Sequence, residues 1–133
     1  VALQAQNAEI EIVLSAIDAR MSEVYFGIFK KNDAGLMTPL IDECVVPPES
    51  VKSILEEAGI TNAVCVGTGW KAYEAVFSDL DVDLTHTDIE FPTAKSMLAI
   101  AIPEFKNGNT VTAEHAQPVY VRDTVSWKKL PGR

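Results

Sequence analysis

The order of strand-like and helix-like segments constrains the fold of this chain more than any other feature. Three segments that favour β-structure come first, over residues 9–17, 23–30 and 36–46, and only short turns separate them. The segments after them alternate: a helix bounded by Pro48 and Gly59, a strand over 63–66, a helix over 70–77, a strand over 80–85 and a helix between Pro92 and Gly108. Short turns indicate antiparallel pairing, and intervening helices indicate right-handed parallel crossovers. The order βββαβαβα predicts an α/β protein with a ribonuclease-H-like mixed sheet and helices on its faces.

The length predicts one domain, because 133 residues lie within the usual size range of a domain. Apolar residues make up 47% of the sequence, which is enough to build a core. We expect residues 9–110 to form this domain, residues 1–8 to be the remnant of an upstream helix, and residues 111–133 to be a tail. No apolar run is long enough to span a bilayer.

The charge and the two cysteines limit the choice of partner and compartment. The net charge of −8 makes the chain a poor RNA binder on its own, because RNA is held mainly through Lys and Arg. Cys44 and Cys65 each lie in an apolar run, where a free thiol behaves as a small buried hydrophobe. We therefore predict reduced structural cysteines and a cytoplasmic protein.

Metal-dependent chemistry has little support in the sequence. A nuclease of this fold would need carboxylates that converge on Mg²⁺, but the first strand offers only Glu9, Glu11 and Asp18 at its two ends. The strand over 63–66 offers none. His86 and His115 are too far apart in the sequence to show a ligand spacing. We predict no metal site and no catalytic residue.

An acidic stretch nearly matches a calcium-binding loop. Asp79, Asp81, Asp83 and Glu90 occupy loop positions one, three, five and twelve, but Leu84 stands where the loop requires glycine. Leu80 and Val82 also alternate with the acidic residues. We therefore interpret the stretch as a strand with solvated aspartates on its outer face.

Two short segments leave a binding role open. Gly67-Thr68-Gly69 links a buried strand to a helix, and such a turn can either bind phosphate or simply allow tight packing. Asp18 and Arg20 in the first hairpin could fix the loop or contact a partner. Trp127, Lys128 and Lys129 form a solvated tail or a docking segment for a protein or RNA.

Three motifs together resemble one known family. The first is Ala16-Ile17-Asp18-Ala19-Arg20-Met21-Ser22-Glu23-Val24-Tyr25, and the second is Val66-Gly67-Thr68-Gly69-Trp70-Lys71-Ala72-Tyr73. The third begins Ala113-Glu114-His115-Ala116-Gln117-Pro118-Val119-Tyr120-Val121-Arg122 and continues to Trp127-Lys128-Lys129-Leu130-Pro131-Gly132. In this order and over nearly the whole chain, they resemble the C-terminal domain of the TsaB (YeaZ) family of gamma-proteobacteria.

The resemblance implies a degenerate half of an actin-like/Hsp70-like ATPase fold and a role without chemistry of its own. The family pairs with the catalytic protein TsaD and the ATPase TsaE, and the complex places threonylcarbamoyl on the adenosine next to the tRNA anticodon. Glycoprotease is an older label for the family. The resemblance implies no cofactor, only indirect contact with tRNA, and a homodimer as an option for the full-length protein. The family's N-terminal half has no counterpart before Val1. The resemblance implies that most of the helices that pair with TsaD lie in that half, so this chain would lack them.

The sequence leaves two alternatives to this assembly role, namely a hydrolase or peptidase, and a nucleotide-binding module that uses the turn at Gly67. We expect partner or phosphate contacts at nine residues: Asp18, Arg20, Gly67, Gly69, Tyr120, Arg122, Trp127, Lys128 and Lys129.

Overall fold

The computed structural model describes residues 1–5 and 9–121, and these residues form a mixed β-sheet that carries helices. The strands are β1 (Ile12–Ala19), β2 (Glu23–Lys31), β3 (Met37–Pro39), β4 (Cys44–Val46), β5 (Asn62–Val66) and β6 (Asp83–His86). The helices are α1 (Val51–Glu57), α2 (Gly69–Ala72), α3 (Glu74–Phe77) and α4 (Ala94–Lys106). Short 3₁₀ turns lie at Ala2–Ala5, Pro48–Ser50 and Ala113–His115.

The sheet has the order β3-β2-β1-β5-β6, and β4 also pairs with β2. The pairs β1–β2, β2–β3 and β2–β4 are antiparallel, whereas β1–β5 and β5–β6 are parallel. This arrangement confirms the predicted meander followed by crossovers, and the fold is α/β and ribonuclease-H-like. The carboxyl ends of β1, β5 and β6 therefore meet at one edge of the sheet.

Both faces of the sheet bury apolar side chains. Along β1, Leu14 and Ala16 join the larger cluster while Val13 joins the smaller one, because successive side chains of a strand point to opposite faces. The helices α1, α2 and α3 cover the larger cluster with Val51, Leu55, Trp70 and Phe77. On the other face, Ala2 and Ala5 of the first 3₁₀ turn pack against Val13, Val64 and Val66.

The predicted third strand over 36–46 is two strands. β3 and β4 both pair with β2, and a bend over residues 40–43 separates them. Pro39 lies at the end of β3, opposite Phe29, at the outer side of the sheet. Proline lacks the N–H that pairing with a further strand would need, which accounts for its position at the edge.

Three other element boundaries differ from the predictions. The first strand runs from Ile12 to Ala19 rather than over 9–17, so that Asp18 lies in the strand and not in the loop. The predicted helix over 70–77 is divided into α2 and α3 at Tyr73, whose φ of −122° and ψ of 34° are not helical. The strand predicted over 80–85 is β6, which starts three residues later, at Asp83, and ends at His86.

The ends of α1 and α4 follow the predicted capping signals. Gly59 and Gly108 have φ values of +65° and +77°, the left-handed region that favours glycine. The N–H of Gly59 donates to the Glu56 carbonyl, and that of Ile60 donates to the Leu55 carbonyl. These paired bonds satisfy the last carbonyls of α1 and end the helix.

Helix α4 lies within the helical segment predicted between Pro92 and Gly108. Thr93 caps its N-terminus, since its side chain accepts a hydrogen bond from the Ser96 N–H. Met97, Leu98, Ile102 and Phe105 form an apolar stripe at helical spacing, but they are exposed, and α4 has no buried residue. Among residues 1–5 and 9–121, no helix has both the length and the apolar character needed to cross a bilayer.

Candidate functional site

The first two motifs meet at the sheet edge formed by the ends of β1 and β5. The backbone N–H of Asp18 donates to the Thr68 hydroxyl oxygen at 3.0 Å. The Tyr73 hydroxyl donates to Asp18 Oδ1 at 3.0 Å. These hydrogen bonds join Asp18 to residues that lie 50 and 55 positions further along the sequence. We call Asp18, Thr68 and Tyr73 the hairpin clasp.

The hairpin clasp changes the pKa of Tyr73. The Asp18 carboxylate that accepts its hydrogen bond raises the pKa of the Tyr73 phenol, and burial adds to this shift. Asp18 itself is exposed to solvent. This arrangement holds a neutral phenol against a carboxylate, which suits a structural contact better than a proton transfer at neutral pH.

Two glycines allow the second motif to lie directly on β1. A Cβ atom added to Gly67 would overlap the carbonyl oxygen of Ala16, and its φ of +102° is one that glycine adopts readily. At Gly69 an added Cβ would lie 2.9 Å from the same oxygen. Close packing of a helix start on the neighbouring strand therefore explains both glycines.

The first amide of the turn at Gly67 is not available to an anion. The Gly67 N–H donates to the Ile89 carbonyl at 2.7 Å, so this donor is already used within the chain. Helix α2 has only four residues and therefore a weak dipole at its N-terminus. Phosphate binding at Gly67 and Gly69 remains a prediction that no contact in the described residues supports.

Trp70 forms the floor of a cavity beside this turn. Its side chain is only 5% exposed, and its indole N–H donates to the Val66 carbonyl at 3.1 Å. The ring lies 4.7 Å from that of Phe77 and meets the ring of His86 edge-on at 6.1 Å. The cavity of about 480 Å³ opens at the ends of β5 and β6, and Lys71, Glu74, Asp88 and Glu90 also line it.

The two cysteines are placed as structural residues. Cys65 lies in β5, between β1 and β6, and is 1% exposed. Burial raises the pKa of its thiol to about 12. Cys44 is half-buried at the sheet edge, where burial also raises its thiol pKa. A raised pKa lowers the fraction of thiolate, so neither residue is an activated nucleophile at neutral pH.

The acidic residues considered from sequence are dispersed. Glu11 pairs with Lys30 at 3.7 Å on the exposed side of the β1–β2 ladder, away from the clasp. Within residues 1–5 and 9–121, no group of three or more His, Cys, Asp or Glu side chains could hold a metal ion. The Nδ1 atom of His115 lies 2.8 Å from the Thr112 hydroxyl, within hydrogen-bond distance.

The remaining predicted contact residues fall into two groups. Arg20 lies in the three-residue loop between β1 and β2, where Met21 and Ser22 have positive φ values, and Tyr120 is 77% exposed. Arg122, Trp127, Lys128 and Lys129 lie outside the described residues. Sequence reasoning missed Thr68 and Tyr73 as partners of Asp18, because a contact between distant residues leaves no local pattern.

Comparison with known proteins gives consistent results. No family model matches the sequence. The chain is 40% identical over 121 residues to the tRNA threonylcarbamoyladenosine biosynthesis protein TsaB of Escherichia coli strain K12, which covers 91% of this chain. It is 39% identical over 132 residues to the protein of the same name from Haemophilus influenzae, which covers 94% of this chain. The chain spans about half the length of these curated relatives, 52% and 53% respectively.

Solved structures agree with the sequence relatives. A Pseudomonas aeruginosa protein described as similar to the peptidase YeaZ superposes with a TM-score of 0.71 and 34% identity, over 91% of this chain and 56% of its own. YeaZ from Pseudomonas aeruginosa superposes with a TM-score of 0.66 and 35% identity, over 90% of this chain and 55% of its own. In sequence and in fold, nine-tenths of this chain is similar to about half of the length of TsaB (YeaZ) proteins.

Proposed function

We propose that this chain is a non-catalytic part of the machinery that makes threonylcarbamoyladenosine in tRNA. The observation that carries this proposal is the 40% identity to Escherichia coli TsaB over 91% of the chain. In this role the chain supports TsaD, which performs the transfer to the adenosine next to the anticodon, together with TsaE. The chain itself contributes a folded scaffold.

The chemistry of the described side chains supports a role without catalysis. The Cys65 thiol has a pKa raised to about 12 by burial and is closed off from substrate. The Asp18 carboxylate and the Tyr73 hydroxyl are hydrogen-bonded to each other. A peptidase needs a nucleophile within hydrogen-bond reach of a base, and the clasp offers a phenol of raised pKa instead.

The chain's exposed positions are candidates for contact with partners. We place Arg20, on the hairpin loop, and Tyr120 among the residues that touch TsaD or TsaE, and we extend this to Arg122, Trp127, Lys128 and Lys129. The net charge of −8 favours contact with basic protein surfaces over direct contact with tRNA. The proposed compartment is the cytoplasm, and the proposed domain covers residues 9–110.

Reconstitution tests the proposed function. A reaction that contains TsaD, TsaE, threonylcarbamoyl-adenylate and substrate tRNA, but no TsaB, is supplemented with one of two proteins. The first is this chain, and the second is a fusion of this chain to the segment of Escherichia coli TsaB that it does not match. Modified adenosine is quantified after nuclease digestion by mass spectrometry.

We expect the fusion to restore modification in proportion to its concentration, with Escherichia coli TsaB as the positive control. The chain alone should restore much less, because it spans about half of the relatives. A well-folded fusion that leaves modification at the level of the reaction without TsaB would contradict the proposal.

A further inference from the structure

The cavity beside the turn between β5 and α2 has an aromatic floor and an acidic rim. Trp70 and Phe77, which are buried, line its floor. Glu74 of α3 lies at its rim, together with Asp88 and Glu90 from the segment after β6. The volume of about 480 Å³ falls within the range of ligand pockets in proteins, roughly 300–1,000 Å³. The cavity is therefore large enough for one long side chain and the backbone that carries it.

The three carboxylates at the rim lack a cation of their own. Among the residues that the structure describes, none of the three forms an ion pair or a side-chain hydrogen bond. Lys71 also lines the cavity, but one positive charge leaves the lining acidic. An anion would be repelled there, and an apolar group would displace water from the carboxylates without replacing its hydrogen bonds. The lining therefore favours a cationic ligand.

The placement of these carboxylates favours an organic cation over a metal ion. A metal ion needs several ligand atoms within roughly 2–2.6 Å of one point. In the described ranges, no three His, Cys, Asp or Glu side chains are placed to provide them. A guanidinium group instead spreads its N–H donors over a plane and stacks on aromatic rings, whereas an ammonium group is compact and strongly hydrated. Separate carboxylates above an aromatic floor thus suit a guanidinium group best.

We propose that this cavity binds an arginine side chain that a protein partner inserts into it. The guanidinium group lies against Trp70 and Phe77, because the face of an aromatic ring attracts a cation. Its N–H groups donate to the rim carboxylates in charge-assisted hydrogen bonds. Glu74 and Asp88 are exposed, so a second protein can reach them, and the net charge of −8 attracts basic surfaces. This inference goes beyond the proposed assembly role and does not depend on it.

A peptide titration tests the proposed site. The probe is acetyl-Gly-Arg-Gly-amide, and its control is the same peptide with citrulline, which has the shape of arginine without the charge. Binding is followed by NMR through the indole N–H signal of Trp70, in a chain with Trp127→Phe so that no other indole is present. We expect the arginine peptide to shift this signal saturably. The citrulline peptide should bind at least about tenfold more weakly, because it forms no charge-assisted hydrogen bonds.

Matched variants assign the binding to the rim. Glu74→Gln with Asp88→Asn should weaken binding of the arginine peptide by at least about fivefold, because two ion pairs are lost. Asp79→Asn with Asp81→Asn removes the same charge outside the cavity and should change the affinity by less than about twofold. Lys71→Gln should strengthen binding, because it removes a positive charge from the lining. All five side chains are exposed, so the melting temperatures should be unchanged and show that the variants fold.

Four results would overturn the proposal. The first is an unchanged Trp70 signal at high concentrations of the arginine peptide. The second is equal affinity for the arginine and citrulline peptides, which would show that the charge is not recognised. The third is equal weakening in the two paired variants, which would reduce the effect to the net charge of the chain. The fourth is tighter binding of free arginine than of the peptide, which would assign the cavity to a small molecule instead of a protein partner.

Discussion

At the scale of single residues, Trp70 is the largest side chain by type in the larger cluster. It is buried against Phe77, and its indole N–H is bonded to the Val66 carbonyl. We expect Trp70→Ala to reduce the free energy of unfolding by roughly 3–5 kcal/mol, since it leaves a large cavity and removes the hydrogen bond to the Val66 carbonyl. Urea denaturation followed by circular dichroism measures this loss. An unchanged midpoint would contradict the burial of Trp70.

The two cysteines should differ in their reactivity towards a thiol reagent. Burial raises the pKa of both thiols, but Cys65 is buried in the sheet while Cys44 is half-buried at its edge. We expect Cys44 to react with iodoacetamide at pH 8 more slowly than a free thiol, and Cys65 only after unfolding. Mass spectrometry of the alkylated protein with and without urea measures this order. Rapid labelling of Cys65 in the folded chain would show that it is accessible and activated.

At the scale of the elements, the turn between β5 and α2 is fixed by its contact with β1. Gly67→Ala should reduce the free energy of unfolding by roughly 2–4 kcal/mol, because it combines a positive φ with overlap on the Ala16 carbonyl. Gly69→Ala should cost less, since its backbone needs no positive φ and its added Cβ meets the same oxygen at 2.9 Å. Thermal melting of the two variants compares them. Equal losses would mean that packing on Ala16, and not the backbone conformation, sets the requirement for glycine.

The hairpin clasp predicts a pH dependence of stability. The pKa of Tyr73 is raised in the folded chain, chiefly by its bond to Asp18. Its contribution to stability is therefore complete below the usual tyrosine pKa of about 10 and is lost as the pH rises through the higher folded value. Tyr73→Phe should lower the melting temperature at pH 7 to 9, and the difference from the unsubstituted chain should shrink above pH 10. A difference that grows with pH would contradict the direction of the shift.

The element order could be predicted from sequence, because it follows from local periodicity. The helix ends at Gly59 and Gly108 were also predictable, since a left-handed cap has a local glycine signal. The break at Tyr73 and the start of β6 at Asp83 were not, because tertiary contacts set them. Tyr73 leaves the helix where its hydroxyl reaches Asp18, a residue 55 positions away. Nor could the sequence show that the stripe of α4 would be exposed.

At the scale of the whole molecule, one physical feature connects the fold to the proposed role. The two motifs at the sheet edge hold β1, β5 and the following turn together through Asp18, Thr68, Tyr73 and the two glycines. The Asp18 carboxylate and the hydroxyl groups of Thr68 and Tyr73 are used for internal contacts. This internal use of polar side chains supports the proposed assembly role, in which the chain contributes a folded scaffold.

The rate of tRNA modification by TsaD and TsaE, measured with the fusion and with a variant of it, tests the proposed scaffold role most directly. Cys44→Ala, His86→Ala and His115→Ala together remove the thiol and imidazole groups of the described residues other than the buried Cys65. If the chain acts as a scaffold, the triple variant should keep the rate within about twofold at saturating concentration, the margin of roughly 0.4 kcal/mol in an activation barrier. A thousandfold loss with an unchanged melting temperature would show that one of these groups takes part in the chemistry.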